Sequence, residues 1–299
     1  MICGPTAAGK SSLALALAQR FGATILSADS RQIYRGFDIG TAKPTAVERA
    51  CVPYRGIDLI DPVHRWSAAA WADAAEDWIA EARAARRAAV VVGGTGFYVR
   101  ALTQPLFTEP PLDPERRRQL EDELAACPTD ELRVRCERLD PERASLGRAQ
   151  LLRSITVAAL TGTALSEWHR RAARPARVHA RFLVVDPGTR LRERIGERVC
   201  SMLAAGWENE VIGLLTRVPD DAPAWNGTGY RVVRDLVRGT MSRDTAITRI
   251  IIDTRQYAKR QRTWVRHQLP LADVTLLDPT DASAHERACA WWVNGESAA

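Results

Sequence analysis

Gly4-Pro5-Thr6-Ala7-Ala8-Gly9-Lys10-Ser11 is the stretch on which the fold turns. It fits GxxxxGK[ST] in the setting that pattern needs. The apolar stub at residues 1–3 precedes it, and a Leu- and Ala-rich helical segment, 10–21, follows. The glycines let the backbone fold so that its N–H groups converge on an anion at a helix N-terminus. Lys10 adds a point charge for a terminal phosphate, and the Ser11 hydroxyl is a ligand for Mg²⁺. A loop of this kind binds a diphosphate or a triphosphate.

Working outward, TILS at 24–27 reads as a short buried strand, 67–87 as a long Ala/Trp-rich helix and AVVV at 89–92 as another buried strand. From 113 to about 177 the pattern turns charged and helical, with no convincing strand. RFLVVD at 181–186 resumes the strand pattern, and 274–277 supplies a last strand. The expected fold is α/β: a doubly wound parallel sheet of the P-loop NTPase type, at 1–112 and 181–299, interrupted by a helical insertion domain at 113–180. The first strand is short against the usual ~5–6 residues. Either the sheet tolerates a stub or the recorded start lies downstream of the true one, and the second reading is preferred.

In a phosphoryl-transferring member of this class a strand should end in Asp to hold Mg²⁺. The strand at 89–92 ends instead in Gly93-Gly94-Thr95-Gly96, and the strand at 24–27 runs on into Ala28-Asp29-Ser30. Strand C-termini face the ligand crevice of a doubly wound sheet, so Asp29, Thr95 and Lys10 should converge. Asp29 could ligate Mg²⁺, or it could take a proton from a nucleophile beside the phosphates. Composition does not choose between them.

The chain has 299 residues, 46% of them hydrophobic, enough for a sizeable core. No apolar run reaches the ~18 residues that cross a bilayer, and the start lacks a signal-peptide pattern. Six cysteines never fall into CxxC or CxxH spacing, which argues against a zinc site, and a disulfide framework is not expected. A cytoplasmic protein, monomeric and with no membrane partner, is the expectation. Of 42 cationic residues only Lys10, Lys43 and Lys259 are lysine. The net charge of +6 is uneven: 148–181 carries seven arginines and one acid, and 249–267 six cations and one acid. Two basic segments on an otherwise acidic chain suit a polyanionic partner.

On a helix, Arg255, Lys259, Arg262 and Arg266 fall within roughly 60° of one another. Ile250, Thr254, Tyr257, Gln261, Trp264 and Val265 lie on the opposite side. Four like charges in one stripe repel unless a phosphate backbone lies along them. The second basic element, 168–177 (WHRRAARPAR), reads as a flexible return to the core, able to wrap nucleic acid or to serve as a plain linker.

These segments together resemble the tRNA dimethylallyltransferases. The resemblance is carried by GPTAAGKS (4–11), SADSRQIY (27–34), DIGTAKP (38–44), VGGTGFY (92–98), RERI (192–195), GYR (229–231) and TRQYAKRQRTWVR (254–266), in the family's order. All three lysines fall inside them. The resemblance implies a P-loop fold used to move a dimethylallyl group from dimethylallyl diphosphate to the exocyclic amine of the adenosine 3′ of the tRNA anticodon, with Mg²⁺ at Ser11. It accounts for the missing Asp after Val92, since a carbon–oxygen bond is broken and diphosphate leaves. It implies that Asp29 accepts the amine proton, that Thr6 contacts the diphosphate near the departing oxygen, that Thr95 hydrogen-bonds near the amine and that Arg194 clamps the diphosphate. Contacts to tRNA are implied for Asp29, Ser30, Arg31, Gln32 and Thr95, for Gly229, Tyr230 and Arg231, and for Lys259, Arg260, Gln261, Arg262, Thr263, Trp264, Val265 and Arg266. In the insertion they are implied for Arg117, Gln150 and Arg153. The chain departs from the family pattern at Gln150, where an arginine is usual, and at Val232, which follows the GYR turn in place of Gln or Glu. A small-molecule kinase would not need the cationic helix, and a non-catalytic RNA binder would not need Asp29 beside the loop.

Overall fold

The computed structural model of the chain describes residues 1–104, 106–107, 110–171, 173–174 and 176–296. In chain order, β1 (Ile2–Cys3) leads through the phosphate loop into α1 (Lys10–Phe21), followed by β2 (Thr24–Ala28), α2 (Ala46–Cys51), β3 (Tyr54–Arg55), α3 (Ala68–Ala84), β4 (Ala89–Gly93) and α4 (Gly96–Thr103). Next come β5 (Leu106–Phe107), α5 (Pro114–Ala125), α6 (Thr129–Leu139), α7 (Arg148–Thr161), α8 (Leu165–Arg171) and β6 (Ala173–Arg174). The chain then continues with β7 (Phe182–Val185), α9 (Leu191–Ala204), α10 (Trp207–Leu215), α11 (Tyr230–Val237), α12 (Arg243–Gln268), β8 (Val274–Leu277) and α13 (Ala284–Glu296). Two compact units result, one of Met1–Thr103 with Val178–Ala299 and one of Gln104–Arg177.

The first unit is built on a six-stranded parallel sheet of order β3-β2-β4-β1-β7-β8. Helices cover both faces of such a sheet, which is why its central strands read as unbroken apolar runs: Thr24–Ala28 and Phe182–Val185 are buried throughout. Each large apolar side chain buried there contributes roughly 1.5–3 kcal/mol. On one side α1 and α13 close the core, with Phe21 and Trp292 stacked at 5.3 Å. Although β1 has two residues, it pairs on both edges, with Val92 of β4 and with Leu183 and Val184 of β7. Gly4 then leaves the strand at φ +137, where a Cβ would sit 2.2 Å from the Val185 carbonyl oxygen, so no other residue fits the exit. No described helix is long and apolar enough to cross a membrane.

The second unit packs α5, α6 and α7 around Leu124, Leu132, Cys136, Leu151 and Ile155. It begins at Gln104 and ends at Arg177, not at 113 and 180, because Leu106 and Phe107 pair antiparallel with Arg174 and Ala173. Strands of two residues carry no alternation, so the pattern from 113 to 177 read as strand-free. The basic 168–177 element does not start as a flexible arm either. Trp168 to Arg171 are the end of α8, where Arg170 pairs with Glu142 and Glu167 and Arg171 with Glu167. Ala172 and Pro175 of that element lie outside the described residues, as do the side chains of Ala173 and Arg174.

Candidate active site

Four adjacent strands of the first unit deliver the site. At their carboxyl ends β2 yields Asp29, β4 yields Gly94 and Thr95, β1 yields the phosphate loop and β7 yields Asp186, in the spatial order of the sheet. That is the crevice where ligands of doubly wound sheets bind. Glycine ends β4 because a Cβ at position 93 would sit 2.2 Å from the Ala28 carbonyl oxygen; the carboxylate stands one strand over, on β2.

Within the loop, Lys10 Nζ donates to the Pro5 carbonyl at 2.6 Å, and Arg194 Nε, from α9, donates to the Ala7 carbonyl at 3.0 Å. The Ala7 carbonyl is turned toward Arg194 by a left-handed backbone at φ +62. Ser11 is exposed in the first turn of α1, and Pro5 and Ala8 are buried beneath the loop. Opposite, Asp29 accepts the Arg31 backbone N–H at 2.8 Å, and the Thr95 hydroxyl accepts the Ser30 N–H at 3.1 Å. Gln32 accepts the Ser27 hydroxyl at 2.7 Å and donates to the Thr41 and Ala42 carbonyls, so one side chain ties two loops of the site together.

Two adjoining cavities open here. One, of about 130 Å³, is lined by Ala7, Gly9, Lys10 and Ser11. The other, of about 230 Å³, reaches Ser30, Arg31, Trp207, Thr254 and Arg260. Thr6, Asp29, Thr41, Arg198 and Tyr257 line both. The smaller is thus walled by the anion loop and two cations, and the larger by mixed apolar and polar side chains, with a carboxylate at the passage between them.

Helical spacing marks Tyr257 only as part of the side opposite the cationic stripe, and gives Arg198 no site role at all. Arg198 follows Arg194 by four residues, on the same face of α9, and the RERIGER spacing was the signal for it. It has no hydrogen-bond or ion-pair partner among the described residues, and burial lowers its pKa while Asp29 pulls the other way. Tyr257 is pushed up to about 12 by burial and the Asp29 charge, against a hydrogen bond to Thr95, so it stays a neutral phenol.

Lys10 is lowered to about 8, first by burial and then by Arg198, with Asp29 opposing. An anion in the small cavity favours the protonated amine, so affinity is full below that pKa and falls as pH rises through it. A diphosphate titrated without metal should bind about fourfold more weakly at pH 8.5 than at pH 7. A Lys10→Arg variant should remove that dependence, as calorimetry across the range will read.

Several implied tRNA contacts take other roles here. Gly229 and Tyr230 are buried, and the Tyr230 hydroxyl donates to Glu210, which in turn accepts the backbone N–H groups of Asp38 and Ile39. Gln261 is buried against the phosphate loop. Arg262 is held by both oxygens of Asp186 and by the Gly188 carbonyl, and Arg255 turns toward the Arg192 carbonyl. Trp264 and Val265 pack on Cys3, Val99 and Phe182. The cationic stripe is therefore rotated from the expected one: α12 docks along the Arg255–Arg262 edge and exposes Lys259, Arg260, Thr263 and Arg266. Arg231 is also exposed and bonds to Asn226. In the second unit Arg117 pairs with Glu121, Gln150 caps its own helix through the Gly147 N–H, and Arg153 is exposed.

Known proteins resemble this chain in sequence and fold. A family model described as IPP transferase matches residues 32–268, and one described as isopentenyl transferase matches 1–52. The tRNA dimethylallyltransferase of Halorhodospira halophila is 41% identical over 293 residues, 95% of this chain and 94% of its own length. That of Deinococcus radiodurans is 38% identical over 295 residues, 96% of this chain and 95% of its own. The solved tRNA isopentenylpyrophosphate transferase of Bacillus halodurans has a TM-score of 0.69 at 31% identity, covering 98% of this chain and 94% of that one. A eukaryotic dimethylallyltransferase acting on tRNA shares the fold, with a TM-score of 0.77 at 24% identity.

Proposed function

The chain belongs to the IPP transferase family, and from that premise we propose that it transfers the dimethylallyl group of dimethylallyl diphosphate to the exocyclic amine of the adenosine 3′ of the tRNA anticodon, forming isopentenyladenosine and releasing diphosphate. The observation that carries this reading is the pair of cavities meeting at Asp29. The diphosphate belongs in the smaller one, against the loop, Lys10 and Arg198. The adenine, flipped out of its stack, belongs in the larger one. The amine nitrogen attacks the prenyl carbon, the carbon–oxygen bond breaks with its electron pair going to diphosphate, and Asp29 accepts the proton that the amine sheds. Lys10, Arg194 and Arg198 act on the charge that builds on the leaving group, an effect strengthened where water is excluded. Thr6, which lines both cavities, would offer its hydroxyl to the diphosphate near the departing oxygen. Thr95 holds the Ser30 backbone and so the segment that bears Asp29.

Mg²⁺ fits the donor set. Ser11 and Asp29 line the same cavity, and a site with few protein oxygens suits an ion that keeps waters and phosphate oxygens as ligands. Ser11 would hold it, and when bound it would neutralise charge on the diphosphate. Incubation with dimethylallyl diphosphate, Mg²⁺ and unmodified tRNA, followed by nucleoside mass analysis, tests the reading. A prenylated adenosine is expected; phosphoryl transfer from ATP in a parallel reaction, without prenylation, would point to a kinase.

The exposed face of α12 carries the tRNA expectation. Changing Lys259, Arg260 and Arg266 together to glutamine should weaken tRNA binding and flatten its dependence on salt, by roughly two to three units of log–log slope. Filter binding between 50 and 300 mM salt reads this, and an unchanged slope would assign those cations to solubility alone.

A further inference from the structure

We propose that Gln261 is a positioning residue that sets the gap between the leaving-group loop and the acceptor side of the active site, and is not a tRNA contact. This rests on the prenyl-transfer reading for its functional consequence, and on geometry for the rest. Gln261 is 6% exposed in the C-terminal half of α12, between cationic and apolar neighbours. Its Oε1 accepts the Thr6 backbone N–H at 2.7 Å, and its Nε2 donates to the Gly94 carbonyl at 3.0 Å. The fit leaves no slack: a Cβ on Gly94 would lie 2.1 Å from that Nε2. Thr6 stands on the loop that takes the diphosphate, and Gly94 precedes Thr95, which holds the Ser30 backbone beside Asp29. One amide therefore spans from the leaving-group side to the base side.

The span is rigid because α12 is anchored on both sides of it. Ala258 packs with Leu191 and Ile195 of α9, and Trp264 and Val265 pack with Cys3, Val99 and Phe182. The Thr6 N–H is consumed by this bond, so a diphosphate in the small cavity would take its backbone donors from elsewhere in the loop. A group transfer between two bound partners depends steeply on their separation, and a displacement of about 1 Å costs on the order of 10²-fold in rate.

Two variants test this. Gln261→Met keeps the length and loses both bonds. Turnover at saturating tRNA and dimethylallyl diphosphate should fall about 10²-fold, while the Kd for tRNA stays within about twofold. Gln261→Glu keeps the acceptor, and only its protonated form can donate to Gly94, so its turnover relative to wild type should recover as pH falls. The methionine variant has no such profile. The Thr6 amide, followed by hydrogen exchange with no substrate present, should lose protection in Gln261→Met. Unchanged Thr6 exchange, turnover within threefold of wild type, or a tRNA Kd that weakens in step with kcat/KM would each overturn the assignment. A wild-type enzyme that fails to prenylate tRNA would instead count against the functional reading, leaving the exchange result to judge the geometry.

Discussion

Asp29→Asn should abolish prenyl transfer to below about 10⁻³ of wild type while tRNA binds within a few-fold. The amide oxygen still accepts the Arg31 N–H that Asp29 Oδ1 accepts, so the turn at residues 29–31 survives the exchange. What disappears is the ability to hold a proton as the amine becomes attached to the prenyl carbon. The alternative role, metal ligation, makes a different prediction. A weakened ligand is answered by more Mg²⁺, so activity of the variant would climb with the ion, whereas loss of a base is indifferent to it. Single-turnover assays across a Mg²⁺ series separate the two, and substantial activity at ordinary Mg²⁺ would remove Asp29 as the base.

Lys43→Met should cost about 1–3 kcal/mol of stability, the range for leaving hydrogen-bonded polar partners unmatched, since the Asp38 and Asp58 side chains are 55% and 32% exposed. The Lys43 side chain is 1% exposed, and its ammonium donates to the Tyr34 carbonyl at 2.5 Å, to Asp58 at 2.5 Å and to Asp38 at 2.7 Å. Methionine fills the volume and leaves three acceptors facing it. Arg49 also holds Asp58, so part of the loss should be returned by adding Asp58→Asn to the methionine variant. Burial alone would raise the Asp58 pKa, but its bonds to Lys43 and Arg49 outweigh that and hold it below the ordinary value. The stability it contributes is therefore present at neutral pH and lost as pH falls through the carboxylate range. Urea unfolding at pH 7 and at about pH 3, below the ordinary carboxylate value, should find the gap between wild type and variant narrowed at the lower pH; an unaltered gap would contradict the sign. Because Lys43 also orders the loop that carries Thr41, activity should fall with stability.

Much of the core was readable because its signals are local. The α1 bounds, the β8 bounds and the buried runs of β2, β4 and β7 follow from period and turn chemistry within a dozen residues. The pairing of β5 with β6 was not readable, since two-residue strands some 66 positions apart leave no pattern. For α12, helical spacing identified a cationic side and an apolar side. It could not show that Asp186, at the end of a strand far upstream, would claim Arg262. Arg198 was passed over for a similar reason: in sequence it is one arginine among 39, and only its direction into both cavities distinguishes it.

By itself the sequence determined that a GxxxxGKS loop opens an α/β sheet, that the carboxylate stands after β2 and not after β4, and that basic charge gathers late in the chain. Those are statements about neighbours along the backbone, where steric and periodic rules act within a few residues. The tertiary structure alone decided which cations remain exposed on α12, that Arg198 joins Lys10 at the loop, and that Gln261 bridges Thr6 to Gly94. Each depends on the side on which one element docks against another, and docking is settled by burial and pairing summed over the whole core.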